Sequence, residues 1–282
     1  MQNSGRITTV IIGERSNLSY NLSQRINHSE VFSSTILLES QDLLSKFSNK
    51  KINIIFNNFQ PSTQLNSFQD SSKYIDLSIS LTVTVLMYLV KHGAIINQII
   101  YTSSCSVYGG ISRNNDFNIT SPQNIPSSLK YLNEQFLKKI CSEYRLKLII
   151  ARIFNMYGGK DKFSIINKII SSSINKTNLT LINEGKSIRD YIHINNVVDV
   201  YEKVLLTSKT NFDIIDIGSG KGKSLEDILF YLSKNGYPIK TESVSSSEID
   251  TSIANISKIE KIIDINSFID VNSYLIDKLR KF

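Results

Sequence analysis

The stretch Ile99-Ile100-Tyr101-Thr102-Ser103-Ser104-Cys105-Ser106-Val107-Tyr108-Gly109 decides the fold of this chain. Three apolar residues are followed by small, mostly hydroxylated side chains, and the segment ends at a glycine. A short apolar run bounded by such a turn signal predicts a buried strand. In open α/β sheets, ligands bind at the carboxyl ends of the strands. The hydroxyl-rich end of this segment is therefore where a ligand site is expected.

Apolar segments of similar length recur on both sides of this strand, with helical segments between them. The strands predicted before it are 6–13, 34–38 and 51–57, the helices are 18–26 and 75–92, and a helix at 127–144 and a strand at 146–153 follow. Strands that alternate with helices in this way are typical of a doubly wound parallel sheet. The predicted fold class is therefore α/β.

The composition narrows the class of protein. A chain of 282 residues is long enough for one sizeable core. Without an N-terminal targeting pattern or an apolar run of eighteen residues, we expect a cytoplasmic protein with no membrane partner. The net charge of +7 is spread along the chain, so no nucleic-acid partner is expected. Two cysteines and three histidines show no metal-ligand spacing, so no metal is expected.

The segment Gly13-Glu14-Arg15-Ser16-Asn17-Leu18-Ser19 lies where the first predicted strand turns into a helix. A glycine allows a tight turn, and the N–H groups at the start of a helix bind anions. Serine at positions 16 and 19 is small enough for a close approach of the backbone to a phosphate. By itself the segment is more typical of an ordinary strand-to-helix turn, and only together with the motifs described below does it predict a phosphate-binding turn.

Several motifs together resemble the extended short-chain dehydrogenase/reductase family of nucleotide-sugar epimerases, dehydratases and reductases. They are the turn at 13–19, the segment 102–109, Lys130-Tyr131-Leu132-Asn133-Glu134, Arg152-Ile153-Phe154-Asn155-Met156-Tyr157-Gly158, and Arg189-Asp190-Tyr191. The resemblance implies a Rossmann-type doubly wound parallel sheet with a small C-terminal α/β substrate-binding cap. Residues 1–155 would form the dinucleotide-binding domain and residues 156–282 the cap, with about 190–220 returning to the first domain.

The resemblance implies NAD as the cofactor, with NADP left open. The implied cofactor contacts are Gly13, Arg15, Ser16, Asn17, Leu18, Glu39, Asn58, Phe59, Lys130 and Phe154. Glu39 follows the strand predicted at 34–38, where a carboxylate would accept a hydrogen bond from the adenosine ribose and repel a 2′-phosphate. Arg15 favours the opposite choice, because a guanidinium beside the ribose would hold that phosphate.

The resemblance also implies a nucleotide-diphosphate sugar as the substrate, and a homodimer is expected. Ser104 would hydrogen-bond the reacting sugar oxygen, and Lys130 would hold the nicotinamide ribose. The other implied substrate contacts are Tyr108, Asn155 and Arg189, whose guanidinium would clamp the diphosphate. Asp190 is expected to hold the local backbone.

One catalytic position departs from the family. The family places a tyrosine four residues before the lysine, and this chain has Pro126 there. Three explanations stay open. Another group (Tyr108, Tyr157, or a water held by Ser127 or Ser128) moves the proton, the reaction needs no such group, or the hydride chemistry is lost.

The predicted function is that of an NAD(P)-dependent nucleotide-sugar epimerase or 4-keto reductase. It would act at C4 of the sugar in deoxysugar or surface-polysaccharide biosynthesis. The alternative is a catalytically impaired family member that binds a nucleotide sugar or cofactor as a partner or regulatory protein.

Overall fold

The computed structural model describes residues 7–58, 71–109, 120–207, 213–246 and 249–282. The chain divides into two compact units. The first unit comprises Met1–Val107, Pro122–Arg152 and Glu202–Ile215, and the second comprises Tyr108–Ser121, Ile153–Tyr201 and Asp216–Phe282. Each unit therefore draws on more than one segment of the chain, and the predicted domain boundary after residue 155 stays a prediction.

The strands and helices alternate through the first half of the chain. The strands are β1 (Thr8–Ile12), β2 (Ser29–Phe32), β3 (Lys51–Phe56), β4 (Ile95–Ser104), β5 (Leu148–Ile153), β6 (Asn155–Tyr157), β7 (Leu179–Ile182), β8 (Ile188–His193), β9 (Ile214–Ile217), β10 (Gly222–Ser224), β11 (Thr241–Val244) and β12 (Thr251–Ser252). The helices are α1 (Asn17–Arg25), α2 (Ser34–Glu39), α3 (Ser71–Ile75), α4 (Leu81–Lys91), α5 (Ile125–Glu143), α6 (Ile165–Asn175), α7 (Ile194–Leu206), α8 (Leu225–Lys234) and α9 (Val271–Leu279). A π-helical turn, Asp76–Ser80, joins α3 to α4.

Six strands of the described chain form one sheet in the order β2-β1-β3-β4-β5-β9. The pairs β1–β2, β1–β3 and β3–β4 are parallel. The chain goes from β1 to β2 on one side and then crosses to β3 on the other side of β1. The strand order therefore reverses between β1 and β3, which is where open α/β sheets bind their ligands.

The central strands are largely apolar because both faces of the sheet are covered. Val10, Ile11 and Ile12 of β1 have no exposed surface. Leu81 and Val85 of α4 belong to the same core cluster as β1 and β3. This confirms the α/β class predicted from the alternating pattern.

The strand predicted at 34–38 is wrong, because Ser34–Glu39 is the helix α2 and the strand is Ser29–Phe32. In α2, Leu37 is buried whereas Ile36 is half exposed, so the short apolar run covers only one face of a helix. Runs this short do not distinguish a strand from a helix by periodicity. Strand β2 was missed because it lies at the edge of the sheet and each of its residues is only half-buried.

Among the described residues, Ser72–Lys91 is long and apolar enough, by length and composition, to cross a membrane. Within the fold, its residues Leu81, Val85, Leu86 and Leu89 belong to the core that covers the sheet. This is the ordinary setting of a core helix in an α/β protein.

The second unit has its own apolar core. Within the described chain, β8 pairs with β6, β10 and β12, and β7 pairs with β11. Helices α6, α8 and α9 contribute Ile169, Leu232 and Leu275 to one buried cluster with Tyr157.

His193, the last residue of β8, lies at the edge of this core. Its ring packs against the rings of Tyr157 and Tyr274, with centroids 5.2 and 5.0 Å away. Its Nδ1 accepts a hydrogen bond from the backbone N–H of Asn195 at 3.2 Å, so the neutral ring carries its proton on Nε2. Burial, with a contribution from the Lys278 charge, lowers the pKa of His193 to about 4.

We expect acid to destabilise the fold through His193. At pH values from about 6.5 down to about 4, the His193 side chain is protonated in the unfolded chain but not in the folded chain. The free energy of unfolding therefore falls as the pH falls through this range. In His193→Gln this contribution, on the order of 2 kcal/mol, is absent. Denaturant unfolding at several pH values measures it. A wild-type-minus-variant difference that is constant over this range would contradict the prediction.

Candidate active site

Gly13 makes the turn after β1, directly at the point where the strand order reverses. Its φ of +117° favours glycine, and a Cβ at this position would lie only 2.3 Å from the carbonyl oxygen of Asn57. No side chain therefore fits here, and the backbone of the turn lies directly against the end of β3.

Ser16 caps helix α1. Its Oγ accepts hydrogen bonds from the N–H groups of Leu18 at 3.2 Å and Ser19 at 3.5 Å. The side-chain amide of Asn57 donates to Ser16 Oγ at 2.9 Å and to Ser19 Oγ at 2.8 Å. The two serines of the turn are thus tied to the end of β3. Asn57 was missed as a site residue, although an amide directly after a buried strand is a signal that could have identified it.

Two amide oxygens at the end of β3 are buried without a partner. Asn58 Nδ2 donates to the carbonyl oxygens of Leu77 and Ser78 in the π-helical turn and to Thr82 Oγ1. Within the described part of the chain, Asn57 Oδ1 and Asn58 Oδ1 accept no hydrogen bond. Buried acceptors are normally satisfied, so these two suit a ligand that brings hydroxyl or N–H donors. The other residue predicted here, Phe59, lies outside the described residues.

Three further predicted cofactor contacts, Arg15, Asn17 and Leu18, lie at the start of α1 or directly before it. Asn17 is half-buried and accepts a hydrogen bond from Asn21 Nδ2 through its own side-chain oxygen, while the Leu18 side chain has no exposed surface. Arg15 is exposed, and its Nη2 donates to Thr35 Oγ1 at 3.2 Å. Glu39 is the last residue of α2, so the argument that placed its carboxylate at the end of the second strand is wrong.

The two serines at the end of β4, Ser103 and Ser104, make different hydrogen bonds. Ser104 is half-buried, and its Oγ accepts from the N–H of Ser106 at 3.2 Å, at the 3₁₀ turn Cys105–Tyr108. The neighbouring Ser103 is buried and donates to Glu134 Oε1 at 2.5 Å. The position of Ser104 is therefore set through the residue before it.

Glu134 and Arg152 form a buried, two-point ion pair. Arg152 Nε donates to Glu134 Oε1 at 3.0 Å and Nη2 to Oε2 at 2.6 Å, with side chains 3% and 0% exposed. With Ser103, this pair joins α5, β5 and β4. Bidentate pairing of this kind fixes orientation as well as distance.

Lys130 lies one turn before Glu134 on α5, on the same face of the helix. Burial lowers the pKa of Lys130, and the nearby Cys105 side chain partly offsets this shift. Cys105 directly follows β4, so the Lys130 ammonium interacts electrostatically with a residue at the end of that strand.

Pro126 occupies the first turn of α5, where its missing N–H costs nothing. Ser127 completes the start of the helix: its N–H donates to Asn124 Oδ1 and its Oγ donates to the Asn124 carbonyl oxygen. The Ser127 hydroxyl is therefore engaged in capping rather than in holding a catalytic water.

In the second unit, two tyrosine hydroxyls have different partners. Tyr108 donates to Asp216 Oδ1 at 2.6 Å, and Asp216 Oδ2 accepts from the N–H of Asn255. Tyr157 donates to the carbonyl oxygen of Ile269 at 2.9 Å. Of these two hydroxyls, only that of Tyr108 donates to a carboxylate, which is a group that can take up a proton.

Phe154 and the two predicted diphosphate contacts lie after β5 and on β8. Phe154 is buried and its ring centroid lies 6.5 Å from that of Tyr108. Asn155 Nδ2 donates to the carbonyl oxygen of Asp190 at 3.0 Å, which ties β6 to β8. Arg189 is half-buried, and its Nη1 donates to the carbonyl oxygen of Ile188.

Asp190 holds backbone, as predicted. Its carboxylate accepts from the N–H groups of Ser219, Gly220 and Ala254 and from the Ser219 hydroxyl. Burial raises the pKa of Asp190, and these four donors oppose the shift. Over the described ranges, no group of three or more His, Cys, Asp or Glu side chains is arranged to hold a metal ion.

Residues 4–218 match the profile of the NAD dependent epimerase/dehydratase family. The chain belongs to this family. Membership confirms the predicted resemblance, the α/β class and the prediction of an NAD-dependent protein.

Curated relatives are distant. The dTDP-D-glucose 4,6-dehydratase of Dictyostelium discoideum is 29% identical over 183 residues, which cover 60% of this chain and 42% of the dehydratase. The dTDP-D-glucose 4,6-dehydratase of Homo sapiens is 27% identical over 171 residues, covering 59% of this chain and 47% of its own length. The matched region thus spans less than half the length of these relatives.

Solved structures of epimerases share the fold over nearly the whole chain. A variant of UDP-glucuronic acid 4-epimerase from Bacillus cereus, in complex with a fluorinated UDP-sugar and NAD, has a TM-score of 0.84 at 19% identity, covering 98% of this chain and 99% of its own. The UDP-glucose 4-epimerase from Thermotoga maritima has a TM-score of 0.80 at 16% identity, covering 98% of this chain and 99% of its own.

We expect Glu134→Gln to destabilise the protein by about 3 kcal/mol or more, because it leaves the Arg152 charge buried without its counter-charge. The matched control is Glu202→Gln, which breaks the exposed pair of Glu202 with Arg25 and is expected to cost less than about 1 kcal/mol. Denaturant unfolding measures both. If the two variants lost the same free energy of unfolding, the buried ion pair would contribute no more to stability than the exposed one.

Proposed function

We propose that this chain is an NAD(P)-dependent nucleotide-sugar epimerase or 4-keto reductase that acts at C4 of the sugar. Family membership supports the cofactor class and the general chemistry. The solved neighbours described above hold UDP-sugars, which supports a nucleoside-diphosphate sugar as the substrate. We place the protein in the cytoplasm as a homodimer, in deoxysugar or surface-polysaccharide biosynthesis.

The observation that carries the proposal is the arrangement of Ser104 and Lys130 around one buried ion pair. Ser104 follows Ser103, which donates to Glu134, and Lys130 lies one turn before Glu134. The residues that carry this hydroxyl and this ammonium thus lie beside members of the same bonded group, in one compact unit. Chemistry at a sugar oxygen needs such fixed positions, because misplacement by about 1 Å costs large factors in rate.

The end of β3 and the turn at Gly13 fit the cofactor. The turn lies against the backbone of Asn57, and two buried amide oxygens there lack a donor from the described chain. In this proposal the start of α1 faces the pyrophosphate, and Lys130 binds the nicotinamide ribose. When bound, the nicotinamide supplies the hydride acceptor and donor.

The missing tyrosine leaves one question of chemistry, namely which group takes the proton from the sugar hydroxyl. Tyr157 is a poor candidate because burial raises its pKa and its hydroxyl donates to a backbone carbonyl. Tyr108 already donates to the carboxylate of Asp216. We therefore assign the transfer to Tyr108: its oxygen accepts the sugar proton as its own proton passes to Asp216, and the return step reverses both transfers.

The second candidate is a family member that binds a nucleotide sugar or cofactor without turnover. Pro126 in place of the tyrosine is the observation in its favour. Binding measurements and turnover measurements on the same preparation separate the two functions.

We expect the purified chain to interconvert or reduce a nucleotide sugar in a screen of UDP-, dTDP-, GDP- and CDP-sugars with NAD(H) and NADP(H). Ser104→Ala is expected to lower kcat about 100- to 1,000-fold, because it removes a hydrogen bond to the reacting oxygen. Ser142→Ala, on the exposed face of α5, is the matched control and should keep full activity. Cofactor and nucleotide-sugar binding without turnover for any substrate would favour the second candidate.

We expect Tyr108→Phe to lower kcat about 100-fold or more, because it removes the proton-transfer group. Cofactor affinity, followed by fluorescence, should stay unchanged. Tyr157→Phe removes a hydroxyl of the same kind from the core and should change stability more than kcat. If Tyr108→Phe retains the wild-type kcat, Tyr108 is not the proton-transfer group.

A further inference from the structure

A group of basic side chains lies at the edge of the six-stranded sheet where its strands begin. The chain enters β3 and β5 at this edge, and α4 returns it from the end of β3 to the start of β4. Five exposed residues, which we call the basic edge, lie at these three places in the first unit: Lys50, Lys51, Lys91, Arg145 and Lys147. They are dispersed along the chain, and the sheet brings them together.

Backbone hydrogen bonds fix the start of β3 against the turn that follows α4. The N–H of Ile95, the first residue of β4, donates to the carbonyl oxygen of Lys50 at 2.9 Å. Lys51 is the register partner of Ile95. The N–H of Asn49 donates to the carbonyl oxygen of Gly93 at 3.1 Å. The end of α4 therefore lies beside the two lysines that begin β3.

The start of β5 lies on the other side of β4. The N–H of Ile99 donates to the carbonyl oxygen of Lys147 at 2.8 Å. Since neighbouring strands are about 4.8 Å apart, Lys51 and Lys147 are separated by about 10 Å in the direction across the strands. Arg145 lies two residues earlier, in the turn between α5 and β5, with a φ of +54°.

The acidic residues in this part of the sheet do not balance the positive charge. Glu143, the last residue of α5, has Lys139 one turn before it on the same helix. Asp213 directly precedes β9, and Asp42 accepts a hydrogen bond from the Tyr88 hydroxyl at 3.2 Å. The basic edge together with Lys139 outnumbers these carboxylates, so this end of the sheet has an excess of positive charge.

Two apolar side chains are exposed among the charges of the basic edge. Ile95 is 55% exposed beside its register partner Lys51, and Tyr144 is 40% exposed next to Arg145. Exposed apolar side chains with a polar rim mark interaction sites, and clustered lysines bind anionic lipids. The long lysine stems also allow the ammonium groups to stay in water while apolar groups enter the headgroup region.

Nucleic acid fits this surface less well than a bilayer does. Single strands are bound by aromatic rings that stack on the bases, and phosphates are gripped at two points by arginine. Of the five basic residues, only Arg145 is an arginine. The neighbouring His92 ring is stacked on Tyr88, with centroids 3.9 Å apart, so that face of the ring is already covered.

We propose that the basic edge binds the anionic headgroups of a phospholipid surface. This inference does not depend on the proposed function. It differs from the sequence-based expectation of no membrane partner, which considered targeting and bilayer-spanning segments and not the folded surface. Gly13 and Ser104 lie where β1 and β4 end, at the opposite edge of the sheet, so a bilayer at the basic edge does not cover them.

The test is sedimentation of the full chain with two kinds of vesicle. One contains equal parts of phosphatidylglycerol and phosphatidylcholine, and the other contains phosphatidylcholine alone. The protein should bind the anionic vesicles at low salt and should not bind the neutral ones. Raising the salt concentration should release it, because salt screens exposed charges.

The combined variant Lys50→Gln, Lys51→Gln, Lys91→Gln should weaken binding to the anionic vesicles about 100-fold, since each basic residue near such a surface contributes about fivefold. Ile95→Ser should weaken binding and leave its salt dependence unchanged, because it removes apolar contact and no charge. Circular dichroism of each variant checks that the fold is retained.

The matched control is the combined variant Lys234→Gln, Lys240→Gln, Lys261→Gln. It removes the same charge from exposed positions of the second unit. Its affinity for the anionic vesicles should stay within about fivefold of wild type, the contribution of a single basic residue.

Three results would overturn the inference. The first is no binding to anionic vesicles at low salt. The second is an equal loss in the two combined variants, which would indicate general attraction to a basic protein. The third is tighter binding to single-stranded DNA than to the vesicles at the same salt, lost in the basic-edge variant. Turnover of nucleotide sugars is measured separately, so failure of the proposed function and failure of this inference are distinguishable.

Discussion

The buried ion pair between Glu134 and Arg152 is the constraint on which the candidate active site depends. Removing two charges from water is costly, and only close, bidentate contact with further hydrogen bonds offsets that cost. Both carboxylate oxygens accept from Arg152, and Ser103 adds a third donor. The pair therefore tolerates little displacement of α5, β4 or β5. Ser104 and Lys130 are held in place because they lie on those elements.

A second constraint acts at the start of the fold, between β1 and β3. Gly13 has no room for a side chain because the backbone of Asn57 lies where its Cβ would be. The serines at 16 and 19 are larger than glycine, and their hydroxyls need partners in this closely packed region. The amide of Asn57 supplies a donor to both. The two serine hydroxyls are thus accommodated by one side chain directly after the neighbouring strand.

Much of the fold could be predicted because buried strands and helices show characteristic patterns of apolar residues along the chain. The continuous apolar runs of β1, β3 and β4 and the long periodic segment of α5 were recognised for this reason. The exception, 34–38, is instructive. Its apolar residues fit a strand, yet only Leu37 is buried, and the real edge strand at 29–32 carries little apolar signal. The same error misplaced Glu39, whereas Gly13, Ser104 and Lys130 lie next to strongly patterned elements, so their places in the fold followed from the sequence.

By itself, the sequence determined the α/β class and the turn at Gly13, since these depend on periodicity and on residues close together in the chain. Tertiary structure alone decided the partners of the polar side chains. Asn57 and Ser16 are 41 residues apart, and Tyr108 and Asp216 are 108 apart. A polar side chain is stabilised by whichever group the fold brings within hydrogen-bonding distance. The residues around each of these four side chains in the sequence do not indicate which partner that is.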